Sequence, residues 1–163
     1  MSYYKELLAE NGNTKAYAIE DNEGIDNPWE HGREFEYELE SRNFYMVSED
    51  MPDVSDKDYW FFPIYAYIHS GMTVSTTPFS CGWDSGVLGQ VAVKRPSKGG
   101  VFKTRKAFMK HLEVMTTVLD SYIQGDCYAI VIEKDDVQTD YLCGFIGDHK
   151  TSGLLEAAED MVK

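Results

Sequence analysis

The segment from His69 to Gly86 carries the side chains best suited to chemistry. It is rich in Ser and Thr and also holds His69, Cys81 and Asp84. Two apolar segments flank it, and if they pair as strands these three residues lie near one rim of the sheet. A thiol activated by an imidazole that a carboxylate orients is the arrangement of cysteine hydrolases and transferases. One hypothesis is therefore a small hydrolase or transferase that uses Cys81, His69 and Asp84 and needs no cofactor.

Two other chemistries are possible in this segment. Ser70 or Ser85 could be the nucleophile, although Gly82–Gly86 places its Ser fourth and so does not match the G-x-S-x-G elbow. Zinc could be bound by a set of four residues, but no C-x-x-C pair supports a metal site, and we expect none. That set would be His69, Cys81, Cys127 and Cys143.

A purely structural interpretation of the same segment also stands. Its short polar side chains can hydrogen-bond the backbone of their own loop, as Asx and Ser/Thr turns do. Phe79 and Trp83 could then anchor the loop in the core. The polar residues concerned are Ser75, Thr76, Ser80 and Asp84.

Residues 34–40 alternate strictly between glutamate and a large apolar residue. A strand would turn the apolar residues to one face and the carboxylates to the other. Neighbouring carboxylates on that face would lie about 7 Å apart. The apolar residues are Phe35, Tyr37 and Leu39, and the carboxylates are Glu34, Glu36, Glu38 and Glu40. Such a row either binds a partner or is the solvated face of an antiparallel sheet.

Charge is distributed unevenly along the 163 residues, whose formal net charge is -13. Residues 1–60 hold 16 acidic and 5 basic residues, whereas 94–111 hold seven basic and no acidic residues. The acidic excess argues against general nucleic-acid binding, which requires cations. It favours either a solubility function or a basic partner. The remaining acidic candidates, expected in a loop or a single helical turn, are Glu49, Asp50, Asp53, Asp56 and Asp58.

Length predicts one domain over 1–163, with an acidic portion at 1–60 and a sheet-and-helix core at 61–163. We expect an α+β fold: an antiparallel sheet of five to seven strands, one long helix packed on a face, and short terminal helices. The predicted helices are 3–10, 101–124 and 152–162, the last capped by Thr151 or Ser152. The predicted strands are 15–20, 34–40, 59–68 with Pro63 at a bulge or edge, 87–93, 127–134 and 137–146. A turn-rich loop is expected at 21–32.

Composition also limits the cellular setting. No apolar run reaches the length of a membrane span, and the first residues lack the pattern of a signal peptide. Three cysteines, an odd number, fit a reduced compartment better than a disulfide scaffold, and Cys127 and Cys143 are expected to be core thiols. We expect a cytoplasmic protein that has no membrane partner.

The stretch from Pro63 to Val93 resembles a family of uncharacterised proteins of phages, plasmids and other mobile elements. The resemblance is carried by His69-Ser70-Gly71, by Ser75 and Pro78-Phe79-Ser80-Cys81, and by Trp83-Asp84-Ser85-Gly86. It implies a mobile element in a microbial cell, and it implies no activity or catalytic residue. Residues 1–60 match the family less well.

Together these features lead to the main functional hypothesis. An acidic mobile-element protein would bind and block a basic nucleic-acid-binding host protein, such as a nuclease or a CRISPR-type effector, by nucleic-acid mimicry. Its contact residues would be the nine acidic candidates at 34–40 and 49–58. The thiol enzyme is the alternative, and a structural, virion-associated protein is a third.

Overall fold

The computed structural model describes residues 4–30 and 34–163, and this part of the chain has an α+β fold, as predicted. The N-terminal half contains β1 (Lys5–Asn11), β2 (Thr14–Glu20), β3 (Glu36–Ser41), β4 (Phe44–Val47), β5 (Tyr59–Ile68) and β6 (Met72–Ser75). The remainder contains β7 (Ser85–Lys94), α1 (Arg105–Gln124), β8 (Cys127–Lys134), β9 (Val137–Ile146) and α2 (Leu154–Met161). Neither helix of the described residues combines the length and the apolar character that a bilayer crossing requires.

The strands form two antiparallel sheets rather than the one sheet expected. One has the order β1-β2-β8-β9, and the other has the order β4-β3-β7-β5-β6. The chain correspondingly divides into two compact units. The four-stranded unit combines the residues up to Asn27 with Ser121–Lys163, and the five-stranded unit is Pro28–Asp120. The single domain with a boundary near residue 60 stays a prediction.

The helix predicted at 3–10 is wrong, because Lys5–Asn11 forms β1. A helix of eight residues is marginal on its own, whereas pairing with β2 supplies a ladder of hydrogen bonds. Gly12 makes this hairpin possible with a φ of 61°, a left-handed conformation that glycine adopts without strain.

The core of the four-stranded unit lies between the sheet and α2. Ala16 and Ala18 of β2 and Ile130 and Ile132 of β8 pack with Leu154 and Ala158 of α2, and each of these side chains is at most 4% exposed. The helix is shorter than predicted and starts after Gly153, not after a Thr151 or Ser152 cap.

The hairpin of β8 and β9 has the predicted bounds. Asp135 and Asp136 have φ values of 52° and 63°, which two-residue type I′ turns require. Cys127 is buried as expected. The expectation for Cys143 is wrong: it is exposed, because β9 is an edge strand that is exposed along most of its length.

In the five-stranded unit, α1 covers one face of the sheet. Its Phe108 ring lies 6.0 Å from Phe35 and 5.0 Å from Phe62. The helix starts at Arg105 rather than at 101, because Thr104 Oγ1 accepts a hydrogen bond from the Ala107 N–H (3.1 Å) and caps it.

Trp29 belongs to this core although the sequence placed it in a turn-rich loop. Its side chain is 0% exposed, and Nε1–H donates to the Met115 carbonyl oxygen at 2.9 Å. Its ring packs 5.0 Å from that of Phe35. Residues 31 and 32 of the predicted loop lie outside the described residues.

Both strands that flank the His69–Gly86 segment are present: β5 has the predicted bounds, and β7 begins at Ser85, two residues before the predicted start. Pro63 pairs with Gln90 of β7, while β6 pairs with β5 only from Tyr65 onward, so the proline lies at a locally unpaired edge. Strands β4 and β6 were not predicted. Since β6 lies within the segment, the expected long loop is shorter than the sequence suggested.

Candidate functional site

The carboxylates of β3 occupy one face of the strand. Tyr37 and Leu39 are buried, whereas Glu38 and Glu40 between them are exposed. Glu36 is half-buried, and Glu34 is exposed in a bend two residues before the strand begins, so the predicted strand 34–40 starts at Glu36. The alternation arises because the apolar side chains pack beneath the sheet, which forces their neighbours outward. We call Glu36, Glu38 and Glu40 the β3 carboxylate row.

Strand β4 places exposed apolar side chains beside this row. The register of β3 and β4 places Val47 opposite Glu38 and Tyr45 opposite Glu40. Tyr45 is 66% exposed, and Val47 is 41% exposed. On the other side, Gln90 of β7 lies opposite Glu38. The surface is therefore acidic and partly aromatic, the composition of many protein interfaces.

Glu49 and Asp50 continue the same edge of the sheet. Both are exposed and directly follow Ser48, whose N–H donates to the Tyr37 carbonyl oxygen (2.8 Å). Since pairing with β3 therefore extends past the end of β4, the two carboxylates lie at the margin of the row.

Of the three other predicted acidic contacts, Asp53 and Asp56 accept hydrogen bonds within their own loop, and Asp58 pairs with a lysine outside it. Asp53 accepts hydrogen bonds from the N–H and the Oγ of Ser55, and these bonds lower the pKa of the Asp53 carboxyl. Asp56 accepts from the Asp58 N–H (2.8 Å), and Asp58 lies 3.5 Å from Lys98 Nζ. The structure therefore gives these carboxylates a local role and does not join them to the β3 row.

Two arginines of the basic stretch at 94–111 contact the five-stranded sheet. Arg105 lies over the Phe62 ring, 4.5 Å from its centroid, and donates to the Phe61 carbonyl oxygen (3.4 Å). Arg95 Nε donates to the Tyr59 carbonyl oxygen at 3.2 Å. These cations stabilise the end of the sheet where β5 begins.

Two of the three predicted catalytic residues come together. His69 Nδ1 lies 3.2 Å from Asp84 Oδ2, and their side chains are 69% and 41% exposed. Cys81 is half-buried, and its carbonyl oxygen accepts a hydrogen bond from Ser85 Oγ. Within the described residues, no hydrogen bond joins the Cys81 thiol to His69. The His69–Asp84 pair is therefore exposed to solvent, and it is not hydrogen-bonded to the cysteine that was expected to be the nucleophile.

The zinc alternative has no geometric support. In the described ranges 4–30 and 34–163, no three His, Cys, Asp or Glu side chains are grouped as metal ligands would be. Cys127 is buried in β8, where desolvation and then the charges of Asp126 and Asp21 raise the pKa of its thiol. Such a buried thiol fits the expected role of Cys127 as a core residue.

A groove that sequence reasoning missed opens beside the β3 carboxylate row. Its volume is about 290 Å³, and Glu40, Ile68, Trp83, Asp84 and Val87 are among its lining residues. We call it the Trp83 groove. The expectation that Trp83 anchors the loop in the core is wrong, because its side chain is 97% exposed. Phe79 is half-buried, with its ring 6.0 Å from that of Tyr67.

Nothing in the sequence distinguished this tryptophan. The only local signal was its place among Gly82, Asp84 and Gly86, residues that favour an exposed turn.

No family model, curated protein or solved structure matches this chain.

Proposed function

We propose that this chain is an acidic mobile-element protein that binds and blocks a basic nucleic-acid-binding protein in the host cytoplasm. The observation that carries the proposal is the β3 carboxylate row, in which Glu38 and Glu40 are exposed on one face of a strand whose other face is buried. The mobile-element setting is taken from the resemblance at residues 63–93.

The physical argument concerns how cationic sites recognise anions. Same-face residues of a strand recur about every 7 Å, so the row presents regularly spaced negative charges on a rigid support. Lys and Arg side chains that bind phosphates also bind carboxylates. A net charge of -13 would speed the encounter with a basic partner and repel nucleic acid from the complex.

A charge-matched pair of variants tests this function. Glu38→Gln with Glu40→Gln removes two charges from the row, and Glu156→Gln with Glu159→Gln removes two exposed charges from α2. Each tagged protein is used to capture its partner from host lysate at about 50 mM and about 300 mM salt. Added double-stranded DNA should release the captured protein.

We expect the β3 variant to lose most of the captured protein and the α2 variant to retain it. Capture should also fall steeply at the higher salt concentration. Equal capture by both variants, or capture that neither salt nor DNA alters, would refute the mimicry.

The thiol enzyme remains a second candidate because His69 and Asp84 are paired as an imidazole and its orienting carboxylate are. If Cys81 is the nucleophile, iodoacetamide near neutral pH should modify Cys81 faster than the exposed Cys143, and His69→Ala should abolish the difference. Labelling of Cys81 that is slower than that of Cys143, and unchanged in the variant, would exclude this mechanism.

A further inference from the structure

The Trp83 groove forms where two strands of the five-stranded sheet separate. Strand β3 pairs with β7 only from Glu36 to Leu39, opposite Gly89–Ala92. β7 continues to Ser85 with β5 as its partner, while the chain of β3 turns toward β4. The diverging ends leave a gap, and the loop before β7 places Trp83 and Asp84 beside it.

The lining of the groove combines two chemical characters. Glu40 and Asp84 supply carboxylates, and Trp83 supplies an aromatic ring that is almost wholly in water. Val87, 59% exposed, adds apolar surface. None of the described residues that line the groove is a lysine or an arginine. Arg42 lines an adjoining groove together with Glu38 and Glu40. His69 lies 3.2 Å from Asp84.

This combination complements one side chain in particular. A guanidinium is planar and weakly hydrated, so it stacks on an indole face and pairs with carboxylates at the same time. A lysine ammonium is a strongly hydrated point charge and gains less from the ring. Tryptophan and arginine are also the residues that most often dominate binding energy at protein interfaces.

We propose that the Trp83 groove binds an arginine side chain of the protein partner, stacked on Trp83 and paired with Glu40 and Asp84. The inference rests on the proposed function and extends it, because it specifies arginine rather than general positive charge. The centre of the contact with the partner would therefore be the groove where β3 and β7 diverge, and the β3 carboxylate row would lie beside it.

The test compares two peptides of equal charge, acetylated and amidated hexa-arginine and hexalysine, by isothermal titration calorimetry at about 50 mM salt. The variants are Trp83→Ala and a control, Tyr141→Ala, which removes an exposed aromatic ring of β9, outside the groove and the β3 carboxylate row. Because Trp83 is 97% exposed, its replacement should leave the melting temperature unchanged.

We expect the wild-type protein to bind hexa-arginine about fivefold or more tightly than hexalysine. Trp83→Ala should reduce this ratio to about one, and Tyr141→Ala should preserve it. Equal affinities in the wild type, absence of binding by either peptide, or an equal loss of the ratio in both variants would overturn the inference. The lysate capture by the β3 variant tests the proposed function separately, since a row that binds lysine and arginine alike would still pass that test.

Discussion

Trp29 and Trp83 have the same side chain and opposite environments. Trp29 is 0% exposed and donates its N–H to the Met115 carbonyl oxygen, whereas Trp83 is 97% exposed. Both lie in segments rich in turn-forming residues, so local sequence does not separate them. What separates them is whether α1 and the sheet provide a cavity with an acceptor for the indole N–H.

The hydrogen bond of a single residue, Tyr141, predicts how the stability of the protein depends on pH. Its hydroxyl donates to Asp21 Oδ2 (2.6 Å), and this bond, followed by desolvation and the charge of Asp21, raises the pKa of Tyr141 to about 12. A pKa above the unfolded value of about 10 means that the bond stabilises the fold fully below pH 10 and that this stability is lost as the pH rises toward 12.

Tyr141→Phe should therefore lower the free energy of unfolding at about pH 9 and have a smaller effect at about pH 11.5, as measured by urea denaturation. In an Asp21→Asn background the substitution should have less effect, because the charged acceptor is already gone. A difference between wild type and Tyr141→Phe that stays constant across this range would contradict the role of the bond.

At the scale of elements, patterns that repeat over several residues predicted structure well. The alternation of 34–40 predicted β3, the Asp135-Asp136 turn predicted the β8–β9 hairpin, and the apolar spacing after Thr104 predicted α1. The failures were short segments. β1 has the composition of a helix, and β6 consists of only four residues, so in both cases pairing with a neighbouring strand determined the outcome.

The junction of β3 and β7 depends on a glycine. A Cβ built on Gly89 would lie 1.9 Å from the Glu38 carbonyl oxygen, whereas one on Gly86 would meet nothing within 4 Å. Gly89→Ala should therefore destabilise the protein by roughly 1–3 kcal/mol, since the strands must separate, and Gly86→Ala on the same strand should be nearly neutral. Thermal unfolding measures both, and equal melting temperatures for the two variants would show that β3 does not approach β7 this closely.

At the scale of the whole molecule, the net charge of -13 has two opposite consequences. Acidic side chains repel one another in the folded state, so salt should stabilise the fold by screening. The same screening weakens attraction to a basic partner. The protein should therefore be more stable and a poorer binder as salt increases.

Raising the salt concentration from about 10 mM to about 150 mM should raise the melting temperature and reduce partner capture in parallel samples. Osmolality-matched sucrose controls for effects that do not depend on charge. A melting temperature that falls with salt would mean that internal ion pairs such as Lys5–Glu133 outweigh the repulsion.

The sequence by itself determined the fold class, most strand positions, the long helix and the segregation of glutamates to one face of β3, because each follows from a period of two or 3.6 residues or from a local turn. Tertiary structure alone decided that the strands form two sheets, that Asp58 pairs with Lys98, and that Trp83 lines a groove with Glu40 and Asp84. These outcomes depend on contacts between residues distant in the chain, which no local pattern encodes.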